Sequence, residues 1–423
     1  MVTYLKREVG LAGAVLMGLG SILGTGVFVS IGVAAGVTGA SVIGAIGIAA
    51  VVATCNALSS AQLAANHPVS GGTYEYGYRY LTPTWGFIAG WTFLLAKSAS
   101  AATAALGFAG YLLDALALED PAPWRIPLAL GAVIVLTAIT LVGIQRSNWV
   151  NSLIVSLTLA SLGLFILLGV PEIRSDAFSP TFAPTQSLPN FLQACALMFV
   201  AYTGYGRIAT LGEEVIQPRQ TIPRAIIVTL LISMALYAGV AVVAVGSLGA
   251  ESLGQAAQTT SAPLEAAAQT FAASWVAPWV ALGAVTAMLG VLLNLILGLS
   301  RVLLAMGRRK DMPPITARLD ASASTPTVAV LVMGAVIGAL VLVGNIKTTW
   351  SFSAFNVLLY YAITNAAALR LSPIERLFPR WIAWGGLLAC LFLAFWVEWQ
   401  VWLVGLAIIA LGLLWQVGMQ RLA

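Results

Sequence analysis

Charge is what this chain has least of. Only 8% of its 423 residues are Asp, Glu, Lys or Arg, against roughly 25% in soluble domains, and no long polar segment is left from which a soluble domain could be built. Histidine occurs once, at His67, which excludes a histidine-rich metal centre. Neither HExxH nor GxxxxGK[ST] occurs, so a zinc protease and an ATP-driven pump both lack their machinery. The three cysteines, Cys55, Cys195 and Cys390, lie far apart in apolar stretches. An odd count without ligand spacing reads as small buried hydrophobes, with no disulfide framework and no metal. The apolar stretches hold no cluster of His, Asp or Glu, so a membrane-embedded enzyme is not expected.

What fills the chain is hydrocarbon. Hydrophobic residues make up 60% of it, and stretches near the ~20 residues of a spanning helix recur throughout. Twelve are counted, centred near residues 23, 52, 98, 135, 159, 200, 236, 291, 335, 360, 389 and 409. The pattern predicts one all-α integral membrane unit over 1–423, its first apolar run retained for want of a small-residue cleavage site. With the N-terminus inside, sixteen of the twenty Lys and Arg fall on the cytoplasmic side, among them Arg79, Arg207, Arg301, Arg308 and Arg309. Only Arg125, Arg174 and Lys347 fall outside, and Lys97 lies within a span. The positive-inside rule therefore puts both termini in the cytoplasm of a multi-pass protein of the cell membrane. The net charge of +5 is a signature of topology and implies no nucleic-acid partner. His67 falls in the loop after the second span, as a solvated loop residue or a proton relay.

Two of the apolar runs are interrupted by glycine. Gly24-Thr25-Gly26 breaks the first, and Thr203-Gly204-Tyr205-Gly206 breaks the sixth. An unwound helix in hydrocarbon leaves N–H and C=O groups unpaired at several kcal/mol each, so it survives only where it lines a cavity or meets a ligand. Breaks at corresponding places in two halves point to the binding site of a secondary transporter. Spans one to five (10–170) and six to ten (189–371) overlay as two five-helix units with Gly24 and Gly204 at similar depth, and an odd number of spans per unit inverts the second. Spans eleven and twelve (380–418) are accessory. Trp396, Trp399 and Trp402 between them fit an interfacial belt against membrane lipid, and the pair serves packing or dimerisation, so monomer and homodimer both stand.

Four segments in order along the chain resemble the amino acid–polyamine–organocation (APC) superfamily. Gly20 to Phe28 is similar to its first-helix signature, and Pro68 to Tyr76 to its loop between helices two and three. Phe199 to Tyr205, with Glu213-Glu214-Val215, Pro218-Arg219 and Ile222-Pro223-Arg224-Ala225, resembles its sixth helix and the following loop. Ser300-Arg301 with Ala305 to Arg308 and Asp311 resembles the end of its eighth. The sixth-helix segment most resembles the cationic amino acid transporter branch and its bacterial relatives. The resemblance implies a five-plus-five inverted repeat with broken helices one and six, and an amino acid substrate moved by alternating access, by net transport or exchange. A zwitterion needs donors for its carboxylate, which backbone N–H groups from Ser21 and Ile22 through Gly24, Thr25 and Gly26 can supply. Its ammonium needs acceptors, for which carbonyls of Phe199, Val200 and Tyr202 beside Thr203 and Gly204 are candidates. By family analogy Tyr205 is a gate or pocket wall.

Lys97, in the third span, is expected to face a cavity or partner because a charge at mid-helix costs about 2.5–3.5 kcal/mol on insertion scales. Two readings stand: a proton-coupling or charge-balancing group, and a lysine whose ammonium snorkels to an interface. Some proton-coupled relatives carry a lysine in the fifth helix where this chain aligns Thr158, so the coupling ion is left as H⁺, Na⁺ or none; no other cofactor is expected. No span carries a clear intramembrane acid to match a cationic side chain, and Gly206 stands where some relatives have one. The substrate preference is therefore a neutral amino acid, with cationic amino acids or polyamines, or a transporter-fold nutrient sensor, as alternatives. Glu213 and Glu214 form an inner gate with Arg219 or Arg301, or a solvated loop face.

Overall fold

In hydrocarbon a backbone can satisfy itself only as helix or closed barrel, and this chain takes the first course. The computed structural model describes residues 9–69, 71–117, 122–142, 148–178, 187–210, 215–319 and 325–422. Among the described residues no strand forms; the one extended pairing is a bridge between Val9 and Val215. The first half runs α1 (Leu11–Ile22), α2 (Thr25–Phe28), α3 (Ser30–Thr38), α4 (Val42–Asn66), α5 (Thr73–Tyr80), α6 (Pro83–Ala115), α7 (Ala122–Leu141) and α8 (Asn148–Gly169). The second runs α9 (Leu188–Tyr202), α10 (Gly206–Thr210), α11 (Pro218–Leu248), α12 (Ala250–Thr259), α13 (Pro263–Ala268), α14 (Val276–Arg308), α15 (Thr327–Val341) and α16 (Ile346–Leu369). Helices α17 (Arg380–Ala394) and α18 (Trp399–Leu422) follow.

Local chemistry sets several boundaries. Thr82 accepts the Trp85 N–H ahead of Pro83, which takes the first helical position of α6 where its missing donor is harmless. Asn345 opens α16 by accepting the Thr348 N–H at 3.0 Å. Gly249, at φ +88°, separates α11 from α12 in a conformation that L side chains rarely adopt.

Eight helical runs among the described residues are long and apolar enough to cross a membrane. Three further apolar helices, Leu11–Ile22, Thr327–Val341 and Arg380–Ala394, are shorter. The expected first segment is divided, because α1 stops at Ile22 and the chain resumes as helix only at Thr25. The segment around residue 200 is divided as well, by the turn at Thr203.

Burial separates core from periphery. Within its most apolar stretch α6 is 83% buried and α16 78%, whereas α7 is 22% and α18 28%. Helices α6 and α16 accordingly carry alanine and small hydroxyl residues that let backbones approach, a packing suited to a medium where apolar contact alone gives no drive. Ser100 meets Ser353 at 2.7 Å, and Thr103 meets Thr349 at 2.8 Å. The peripheral helices instead present bare hydrocarbon and indole, including Ile134, Leu388, Trp384 and Leu414, as surfaces against lipid tails do.

One end of the molecule is sealed by contact between small residues. Helix α12 lies against α3 so closely that a Cβ on Gly254 would stand 2.4 Å from the Gly36 Cα, and one on Gly32 would stand 2.6 Å from Pro263. Because backbone cannot yield as a side-chain tip can, Gly254→Val is expected to destabilise the fold by about 1–3 kcal/mol. Its thermal unfolding midpoint in detergent should fall measurably. Gly131→Val, which meets nothing within 4 Å, should leave the midpoint unchanged.

Candidate functional site

The two glycine breaks touch. A Cβ on Gly204 would lie 2.3 Å from the Ser21 carbonyl oxygen and 2.6 Å from Ile22, and one on Gly24 would lie 2.6 Å from Val291 of α14. The first break is a true interruption: Leu23 is extended at ψ 102°, and Gly24 is extended too. In α2 the N–H groups of Val27 and Phe28 are the ones that return to the Gly24 carbonyl, both at 3.1 Å. Those of Thr25 and Gly26 stand ahead of the first helical bond.

The second break is gentler than its glycines suggest. Residues Thr203–Tyr205 tighten into a single 3₁₀ turn between α9 and α10, because the Thr203 N–H and hydroxyl both bond the Val200 carbonyl, the hydroxyl at 2.8 Å. Side chains of neighbouring helices then take up the carbonyls at both breaks. The Tyr237 hydroxyl of α11 lies 2.9 Å from the Ile22 oxygen and 3.0 Å from the Ala201 oxygen, one proton shared between the two broken helices. From α16, Trp350 Nε1 donates to the Leu197 carbonyl at 2.9 Å and Tyr361 to that of Thr203 at 3.2 Å.

Where the breaks meet there is space. A narrow recess of about 40 Å³ is lined by Ser21, Ile22, Thr25 and Gly26 from one break and by Val200, Ala201, Thr203 and Gly204 from the other. Lys97, Ser100 and Trp350, with Val291 and Leu295 of α14, complete it. The Thr25 hydroxyl is buried here without a hydrogen-bond partner. Ser21, Lys97, Thr203 and Gly204 also border a wider cavity of about 570 Å³ that runs out to the exposed Arg308 and Arg309. Lys97 is buried at the junction, its Nζ donating to Thr203 Oγ1 at 2.9 Å, close to the carbonyl end of α9, where the helix dipole favours a cation.

The wider cavity is strongly cationic. Among the described residues Lys97, Arg207, Arg301, Arg308 and Arg309 line it, with the carboxylate of Glu75, which pairs with Arg309. Beside that pair, Tyr74 and Tyr78 donate to Asp311 at 2.7 Å, and the Arg309 guanidinium lies over the Tyr78 ring. Burial, with Asp311 alongside, pushes both phenols well above their ordinary range, so they stay protonated as donors. Burial, helped by Arg79 and Arg309, pushes His67 below its usual range and keeps it neutral at pH 7.

Of the residues singled out from sequence, Ser21, Ile22, Thr25, Gly26, Val200, Thr203, Gly204 and Lys97 line the recess. Gly24 lies behind it, packed on Val291. Phe199, Tyr202 and Tyr205 form a second layer: Phe199 and Tyr205 pack on Tyr361, and Tyr202 packs on Tyr237. Thr158 spends its hydroxyl on the Ile154 carbonyl of its own helix, at 2.8 Å. Glu213 and Glu214 lie outside the described residues. Tyr237, Trp350 and Tyr361 were not legible, since an aromatic in a long apolar helix carries no signal of its own. Removing the shared proton by Tyr237→Phe leaves two buried carbonyls short of a donor, at roughly 1–3 kcal/mol. The variant should unfold at a lower temperature than the native protein while keeping its helical circular dichroism.

Sequence comparison places this architecture among known proteins. The model of the amino acid permease family matches residues 9–413. An uncharacterized transporter of Mycobacterium tuberculosis is 41% identical over 96% of this chain and 90% of its own. The branched-chain amino acid permease BcaP of Bacillus subtilis is 30% identical over 80% of this chain and 75% of its own. Cationic amino acid transporter 4 of Mus musculus is 28% identical over 85% of this chain and 59% of its own. With paired helix breaks at a buried recess and a family match over nearly its whole length, the chain belongs to the amino acid permeases of the APC superfamily, and is a membrane transporter and not an enzyme.

Proposed function

We propose that this permease is a secondary active transporter that moves neutral amino acids across the cytoplasmic membrane by alternating access. Its topology is then twelve spans in two inverted five-helix repeats with two accessory helices, and both termini are cytoplasmic. The observation that carries the reading is the recess where Gly204 backs onto Ser21. There, N–H groups ahead of the first bonds of α2, the unpartnered Thr25 hydroxyl and the carbonyl end of α9 converge on a space continuous with an open cavity. A zwitterion's carboxylate and ammonium find opposite partial charges across that recess. On the positive-inside rule the arginine-lined cavity faces the cytoplasm, so this conformation is inward-open.

The neutral preference rests on charge. A lysine or arginine substrate would bring a further cationic side chain into a cavity lined, among the described residues, by Lys97 and four arginines with Glu75 paired to Arg309, and like charges at short range in a poorly screened site are costly. Uptake into proteoliposomes is the test. Neutral amino acids should be transported and should compete with one another, with lysine and arginine excluded. Gly204→Val, whose side chain would enter the space of Ser21, should abolish uptake; native protein that carries only cationic amino acids or none overturns the reading. Lys97→Gln should relax the exclusion of cationic amino acids by about tenfold or more, the effect of ~1.4 kcal/mol. The same variant reads the coupling ion: loss of the pH dependence of uptake assigns the proton to Lys97, and an unchanged profile removes it from that role.

A further inference from the structure

The sealed end of the molecule holds a carboxyl group that the transport site does not use. Glu265 sits on α13, in the connection between α11 and α14 that folds over α3, and only 4% of its surface is exposed. Its Oε2 has no hydrogen-bond partner, and an ionised carboxylate buried with an unsatisfied oxygen is far costlier than a neutral acid. The residue beside it belongs to the seal. The Leu264 N–H donates at 3.2 Å to the Tyr111 hydroxyl, which itself donates to the Phe28 carbonyl of α2 at 2.7 Å. One phenol thus ties α13, α6 and the first broken helix together, while Pro263 closes on Gly32 of α3.

The charges around Glu265 do not offset its burial. Asp114, one turn beyond Tyr111 on α6, adds a negative charge. Arg125 of α7 directs its guanidinium to the Thr259 carbonyl at 3.1 Å and the Ser261 hydroxyl at 3.2 Å. Glu172 takes the Ala272 N–H at 3.0 Å. Glu251 stands at the far start of α12. Helices α11 and α14 carry their charged residues at the other end, and α3 has none. Burial first, and Asp114 second, raise the Glu265 carboxyl from 4.5 to about 8.

We propose that Glu265 is a proton-binding site of this seal, protonated while α12 and α13 close over α3 and ionised, its proton passed to water, once the seal opens. The proposal rests on the alternating-access reading only in that the seal opens; on the topology above, that side is external. The sign follows from the two states. The carboxyl binds its proton more tightly in the closed state, so acid holds this side shut. Between pH 4.5, the ordinary value in open solvent, and about 8 in the closed state, each unit rise lowers the closed-to-open ratio tenfold; beyond either limit the ratio is flat.

The Leu264 amide reports opening directly, because its bond to Tyr111 is made across the seal. Its hydrogen exchange would be followed in the full-length protein in detergent, from pH 5.5 to 9.5, corrected for the intrinsic pH dependence of exchange. Native protein should show an opening constant that climbs about tenfold per unit toward pH 8 and then levels. Glu265→Gln, a permanently neutral mimic of the acid, should show a low and flat constant. Asp114→Asn, which removes the opposing charge and keeps the carboxyl, should shift the levelling point to lower pH. A flat native profile, or a native-like slope in Glu265→Gln, overturns the proposal. No substrate is present, so a failure of amino acid uptake and a failure of this seal titration are read separately.

Discussion

Every buried carbonyl that leaves a helix in hydrocarbon must find a donor, and that requirement organises this molecule. The chain breaks its first and sixth segments and then meets the consequence with aromatic side chains on unbroken neighbours. Tyr237 shares one proton between Ile22 and Ala201, Trp350 donates to Leu197, Tyr361 to Thr203 and Tyr111 to Phe28. These donors come from α6, α11 and α16 and are among the most buried residues in the fold. Tyrosine and tryptophan suit the task because each offers one directional donor on a large apolar body. The breaks are thereby held by protein donors, and the unpartnered Thr25 hydroxyl is left at the recess.

Close approach is the second half of the same constraint. Gly204 against Ser21, Gly24 against Val291 and Gly36 against Gly254 each leave no room for a methyl group. At the first the absence of Cβ brings the two breaks together, and at the second it lets the first break close on α14. At the third it allows α12 to seal the far end with backbone against backbone. The glycines are therefore placed for what approaches them, since neither Gly24 nor Gly204 has a left-handed backbone.

Both breaks were legible because glycine and threonine stand out in an apolar run, and Lys97 because a lone charge does. The form of the second break was not: Thr203 folds its hydroxyl back on Val200 and turns an expected gap into one tight turn, a choice set by local bonding that composition does not display. The donors to the broken carbonyls were hidden because a buried tyrosine reads like any other large apolar residue until its partner is known. Glu265 carried no signal in the sequence. Its burial comes from α12 and α13 folding back over α3, a tertiary event with no local sequence pattern.

The two ends of the molecule are governed by opposite physics. The sealed end is held by small-residue contact, one tyrosine and a neutral acid, interactions that work best without water. The open end is lined by Arg301, Arg308 and Arg309, whose mutual repulsion is low only while water fills the cavity and screens them. Closing that end would expel the water and bring the guanidinium groups together in a poorer dielectric; among the described residues, Glu75 is already engaged by Arg309 and Asp311 by two tyrosines. On the reading proposed above, a zwitterion in the recess would bring its carboxylate to the Thr25 and Gly26 side and its ammonium to the carbonyl end of α9, where Lys97 already sits. Occupancy would then change the relative free energies of the two states that reading requires, which is the condition for a ligand to drive a conformational change.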